Sequence, residues 1–229
     1  SNGFTGLTAA TGYVVTVTSG RGCIATEDID VIQPAIIKVP APAVTQFGCT
    51  AGSNSTNLAT ITVNNVTGGS GKYTVYECVK NGVTVVQRGS SNSYTESDVA
   101  GGNYSVNVYD DKGCVGNTLA PIKINGFISL DYISVAIATP ITCKNNEEIV
   151  VSAVTSGGTP AAGQLVYTVS GINGTVYSGT NTTGAFSNLA IGDYLISITN
   201  TITGCTIEKI HFVNNPNTFE LKAVKIQDV

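Results

Sequence analysis

The chain has 229 residues, with 11 basic and 15 acidic side chains, one histidine, six cysteines and neither Met nor Trp. Only 11 % of residues are charged, the net charge is −4 and the basic residues are scattered, which argues against a nucleic-acid partner. No apolar run reaches the roughly 18 residues that a membrane-spanning helix needs; residues 128–138 come nearest, but they include Asp131 and alternate as a strand does, so direct membrane insertion is not expected.

Val, Ile, Thr, Ser, Asn and Gly dominate, which are strand formers and turn formers. Apolar and polar residues alternate with period two, as in Thr60-Ile61-Thr62-Val63 and Ser105-Val106-Asn107-Val108, and no amphipathic helical pattern appears. The expected class is all-β. Along the chain, a first predicted strand, Gly12-Tyr13-Val14-Val15-Thr16-Val17, runs on to Gly22-Cys23. There follow a predicted strand at 35–39, Cys49, a strand at 59–63, a glycine turn at 66–70 and a strand at 73–76. A polar hairpin region then leads to Asn103-Tyr104-Ser105-Val106-Asn107-Val108, Gly113-Cys114 and a strand at 118–124. The series then repeats: 127–130, Cys143, 148–152, a glycine turn at 154–160, 166–169, Asp193-Tyr194-Leu195-Ile196-Ser197-Ile198, Gly204-Cys205 and 206–213.

Cys23, Cys114 and Cys205 are 91 residues apart, twice. A fixed period of this length marks an array of similar domains. Pro34 and Pro216 lie two periods apart with Asn125 midway, and these serve as the expected joints. Residues 1–34 then form the C-terminal half of a truncated module, 35–125 and 126–216 are complete modules, and 217–229 is the first strand of a following module. About seven short strands per unit, with turns every 8–12 residues, match tandem immunoglobulin-like or PKD-like β-sandwiches of about 90 residues.

The cysteines show no Cys-x-x-Cys pairs and His211 has no second histidine beside it, which disfavours a metal site. Cys49 and Cys114 stand near the start and end of one unit, and Cys143 and Cys205 hold the same places in the next. The expected disulfides are therefore Cys49–Cys114 and Cys143–Cys205, each restricting the unfolded chain by about 4 kcal/mol, with small buried thiols as the alternative. Such bonds persist outside the cytosol. The partner of Cys23 is expected before Ser1, and Cys78 reads as a lone strand thiol. Tyr13, Tyr104 and Tyr194 each open a strand shortly after an apolar residue, where a ring can plug the sandwich end and its hydroxyl can bond to backbone.

Asp110 and Asp111 before Gly113 are the calcium candidates, set against a solvated β-turn pair, which is favoured. Glu27, Asp28 and Asp30, and the pair Glu147 and Glu148, are read in the same way. No other cofactor is indicated. His211 lies in the apolar Ile210-His211-Phe212-Val213, where a structural role outweighs catalysis, and no nucleophile elbow or phosphate loop is present. Asn-x-Ser/Thr sequons at Asn54, Asn65, Asn103, Asn173 and Asn181 are what Asn- and Thr-rich turns generate.

The run Gly102-Asn103-Tyr104-Ser105-Val106-Asn107-Val108-Tyr109-Asp110-Asp111-Lys112-Gly113-Cys114, preceded by a Gly-Gly turn and a Tyr-Thr-Val strand, resembles the SprB repeat of Bacteroidetes cell-surface adhesins. The resemblance covers essentially the whole chain. It departs at Ser19 in the first copy and at Asn200 in the third, which also carries one inserted residue before Gly204. The resemblance implies a gliding-motility adhesin delivered by the type IX secretion system and displayed on the outer membrane. These repeats would be its non-catalytic stalk. Expected partners are neighbouring repeats of the same chain, an extracellular surface or polysaccharide, and the cell-surface motility and secretion machinery. Two alternatives remain open: an accessory spacer of a secreted polysaccharide-active enzyme, and a fibre subunit that polymerises when strand 217–229 completes another copy's sheet.

Overall fold

In the computed structural model, residues 3–216 are described, and strands are the regular elements throughout them. The protein is all-β. Residues 3–43, Thr62–Tyr94 and Asn103–Ile122 form one compact unit, and Val44–Ile61, Thr95–Gly102 and 123–216 form a second. Residues 217–229, where the first strand of a following module was expected, lie outside the described residues.

The first unit opens with β1 (Ala10–Thr18) and β2 (Ile24–Val31), an antiparallel hairpin with Tyr13 opposite Ile29 and Val17 opposite Ala25. No expected strand forms at 35–39. Lys38 and Val39 make only isolated bridges, to Thr67 and Thr118. Pro34, Pro40 and Pro42 flank this stretch, and a proline cannot donate to a ladder. Next come β3 (Ala43–Thr45), β4 (Gly48–Cys49), β5 (Thr56–Asn57) and β6 (Ala59–Thr62). They are followed by β7 (Tyr73–Lys80), β8 (Thr84–Gly89), β9 (Ser93–Glu96), β10 (Gly102–Asp110), β11 (Val115–Asn117) and β12 (Ile122–Ile124). The main sheet of the first unit runs β11-β10-β7-β8. A further sheet has the order β3-β6-β9.

β10 shows how pattern becomes burial. Tyr104, Val106, Val108 and Asp110 are buried, whereas Ser105, Asn107 and Tyr109 between them are half-buried. Side chains two apart share a face of a pleated strand, so alternation in sequence becomes an inner and an outer face.

The second unit continues with β13 (Ser129–Thr139), β14 (Glu147–Ser156), β15 (Leu165–Ile172), β16 (Ser178–Asn181), β17 (Ala185–Leu189), β18 (Gly192–Asn200) and β19 (Thr206–Val213). These make two antiparallel sheets, β13-β14-β17 and β16-β15-β18-β19. One core joins them: Ile133, Ile149, Val151, Phe186 and Leu189 come from the first sheet, and Val169, Tyr194, Ile196, Ile198 and Val213 from the second. Each such aliphatic side chain, fully buried, stabilises the fold by about 1.5–3 kcal/mol relative to exposure. A lysine closes one side of this pair of sheets, where Lys209 Nζ on edge strand β19 donates to the carbonyl of Ile133 on edge strand β13 at 3.2 Å. A charged side chain on an edge also discourages pairing with foreign strands.

Candidate functional site

The three copies of the Tyr-to-Cys phrase fold to the same corner. In each, the N–H of a residue that ends the strand or directly follows it donates to the carbonyl of the following cysteine: Ser19 to Cys23 at 2.8 Å, Asp110 to Cys114 at 3.0 Å and Asn200 to Cys205 at 2.9 Å. The glycine before each cysteine returns a bond to that same residue's carbonyl, at 2.9 Å from Gly22, 3.2 Å from Gly113 and 2.9 Å from Gly204. These glycines have φ of 82°, 85° and 73°, a left-handed conformation that costs glycine nothing and strains other residues.

Three different side chains perform one task in these corners. Ser19 Oγ accepts the N–H groups of Arg21 and Cys23. Asp110 Oδ1 accepts those of Lys112 and Cys114, at 2.9 and 2.8 Å, while Oδ2 accepts that of Ser70 at 2.9 Å. Asn200 Oδ1 accepts those of Ile202 and Thr203. A short side chain with an acceptor oxygen satisfies loop donors that no strand can reach, and Ser, Asp and Asn all supply it. The bond from Ser70, with those from Cys114 and Lys112, holds the Asp110 carboxyl below the usual carboxylate range. Its oxygens thus face backbone donors, while Asp111 beside it is exposed. Among the described residues, no three His, Cys, Asp or Glu side chains come together as a metal-binding group.

The tyrosines stand at the strand starts. The Tyr194 hydroxyl donates to Ala190 O at 2.7 Å and its ring meets Tyr177 edge-on at 5.7 Å. Desolvation in this core raises the Tyr194 hydroxyl's pKa above the ordinary value. The Tyr13 hydroxyl donates to Thr8 O at 3.0 Å. Tyr104 is buried against Tyr94, with Lys80 Nζ 5.7 Å from its ring centre.

The cysteines depart from the expected pairing. Neither Cys49–Cys114 nor Cys143–Cys205 forms; the bond is Cys49–Cys205, across 156 residues and with Cα atoms 4.8 Å apart. Cys23, Cys114 and Cys143 are exposed thiols, and Cys78 is a buried one. The physical reason is register. Where one phrase recurs along a chain, spacing alone is as consistent with a bond to the first following corner cysteine as with one to the corner cysteine after it. Geometry selects the second here. The Cys49 N–H donates to Thr203 O at 2.7 Å and the Thr206 N–H donates to Ser53 O at 2.9 Å, so the β4–β5 hairpin sits directly on the third corner.

The remaining candidates are engaged in the fold. His211 Nε2 and Glu147 Oε1 lie 2.5 Å apart, both largely buried, and link β19 to the start of β14. Glu148 accepts a bond from the Thr139 hydroxyl, and Asp30 accepts one from the Gly12 N–H. Glu27 and Asp28 are exposed on β2. Of the sequon asparagines, Asn54 donates to Leu130 O, Asn173 donates to Asp193, and Asn181 caps the turn at Thr183 and Gly184.

One cluster escaped the sequence reading. The buried carboxylate of Glu77 accepts bonds from Asn107 Nδ2 at 3.0 Å, Arg88 at 2.7 Å and the Tyr109 hydroxyl at 3.4 Å, and the guanidinium lies 5.2 Å from the Tyr109 ring centre. The Asn107 bond first, then Arg88 and Tyr109, hold this carboxyl below its ordinary value. Period-two alternation put Glu77 on a strand but could not show that β8 and β10 bring it three donors.

No protein-family model matches the chain, and no curated protein matches it. Among solved structures, it is similar to the three N-terminal domains of the bacteriophage RB49 Highly Immunogenic Outer Capsid protein (Hoc), at 16 % identity and a TM-score of 0.36. The match covers 77 % of this chain and 58 % of that one, so this chain spans a little over half of that structure's length.

Proposed function

We propose that this chain is a stalk segment of a long exported bacterial surface adhesin of the SprB-repeat kind, acting without catalysis. Its repeats, rather than the two compact units, are read as tandem immunoglobulin-like sandwiches with joints after residues 34, 125 and 216. The observation that supports this reading is the recurrence of one corner with the same backbone bonds, built by Ser19, Asp110 and Asn200 in turn and ending in cysteines 91 residues apart. Repetition that conserves geometry while exchanging side chains marks a scaffold. A stalk works by reach and by the summed avidity of many weak contacts with an extracellular surface or polysaccharide.

The test uses the whole polypeptide on living cells. Fab fragments raised against this chain are expected to label intact cells and to reduce their attachment to glass or polysaccharide-coated supports severalfold. Labelling that requires lysis, or attachment unchanged under saturating Fab, overturns the proposal.

A further inference from the structure

The Cys49–Cys205 bond joins two kinds of position. Cys49 belongs to the β4–β5 hairpin near the start of one repeat, and Cys205 is the corner cysteine of the next repeat. Its span of 156 residues is one full period longer than the distance from Cys49 to Cys114. The contact is built for close approach: a Cβ placed on Gly48 would lie 3.1 Å from Thr203 O, and backbone bonds flank the disulfide on both sides.

Moving this bond to the matching positions of the other repeats accounts for three of the four thiols, with Cys143 standing 94 residues after Cys49. Cys143 holds the early position and Cys114 and Cys23 hold the corner position, and these three are the exposed thiols. Cys78, the buried one, stands outside the pattern. The corners at Cys23 and Cys114 already have the backbone bonds seen at Cys205.

We propose that Cys143, Cys114 and Cys23 are open halves of the same repeat-to-repeat disulfide and that their partner is another copy of this repeat. Cys143 accepts a Gly-Cys corner, and Cys114 and Cys23 accept an early-cysteine hairpin. This rests on the tandem-repeat reading above. The partner repeat can belong to the same polypeptide or to a second one, because both present the same thiol. Each bond removes two electrons and two protons from a pair of thiols. With oxidised glutathione as oxidant, one protein thiolate displaces glutathione to give a mixed disulfide. The second protein thiolate then attacks the protein sulfur of that disulfide, and two reduced glutathione molecules leave with the electrons and protons.

The test is peptide mapping without reduction, on the 229-residue chain oxidised with glutathione and on the whole secreted polypeptide. In the isolated chain, the expected products are an internal Cys49–Cys205 bond and linked oligomers joined from Cys143 of one copy to Cys114 or Cys23 of another. Cys143→Ser should lower those oligomers at least tenfold while leaving Cys49–Cys205 intact. In the whole polypeptide, bonds within one chain from an early cysteine to the corner cysteine of the next repeat identify a same-chain partner, and linkages between chains identify a second polypeptide; either supports the proposal. Three thiols that stay open to maleimide, or linkages dominated by like-with-like pairs such as Cys143 to Cys143, overturn it. Those outcomes leave the stalk reading standing, because surface labelling does not depend on them. Conversely, a mapped ladder on a protein that Fab reaches only after lysis sinks the stalk reading alone.

Discussion

The hairpin β1–β2 and the hairpin β18–β19 carry the same phrase and the same register but live in different surroundings. Tyr13, Val15 and Val17 correspond to Tyr194, Ile196 and Ile198, and each series ends in a corner of the same geometry. In the second unit those residues meet an opposing sheet, and Ile198 is 0 % exposed. At the N-terminus β1 pairs only with β2 among the described residues, and Val17 is 63 % exposed. A two-stranded hairpin of this kind is marginal in water by itself. The turn and the strand pairing are therefore written locally, by Gly, by a capping side chain and by alternation, whereas the core is a property of what lies opposite.

That contrast can be broken by substitution. The largest expected effect is at Ile198: Ile198→Ala should cost about 2–5 kcal/mol in urea unfolding, and Val17→Ala should stay within about 0.5 kcal/mol. Equal costs would mean that β1 is as well covered in solution as β18. A smaller effect is expected from the tyrosine hydroxyls. Tyr194→Phe leaves Ala190 O without its 2.7 Å donor inside the fold and should cost about 1 kcal/mol, whereas Tyr13→Phe removes a solvent-exposed bond to Thr8 and should be close to neutral.

The smallest effect concerns the corners. The Asp110 carboxyl titrates lower in the folded chain than in the unfolded chain, where a value of about 3.9 applies. Its contribution is therefore complete above that value and is lost as pH falls through the lower folded value. Asn200 accepts its loop donors on Oδ1 alone, whereas an amide at 110 would turn an N–H toward the Ser70 N–H that Oδ2 now accepts, so Asp110→Asn should lower stability at neutral pH and flatten the further loss below about pH 4. An unchanged acid limb in that variant would move the burden to Glu77, the other carboxyl held low.

Much of the fold could be read from the chain because most of its signals are local. Alternation placed β10, β15, β18 and β19, and the glycine before each cysteine marked the corners. The stretch at 35–39 misled, because its apolar residues suggest a strand while the flanking prolines withhold the donors a strand needs. The disulfide was not legible for a different reason: a period fixes the distance between like positions but not which repeat a cysteine addresses. Long-range polar pairs such as Glu77 with Asn107, or Glu147 with His211, depend on strand neighbours that a single sequence does not name.

The bond from Cys49 to Cys205 also decides how much of the chain an applied pull could extend. A pull applied at the two ends passes through the sulfur bridge and bypasses everything between residues 49 and 205. At roughly 3.4 Å per extended residue, this withholds on the order of 500 Å of contour from extension. Stretching of the oxidised chain is therefore confined to the segments outside the bridge, and the contour between the two cysteines becomes available only when a reductant opens it.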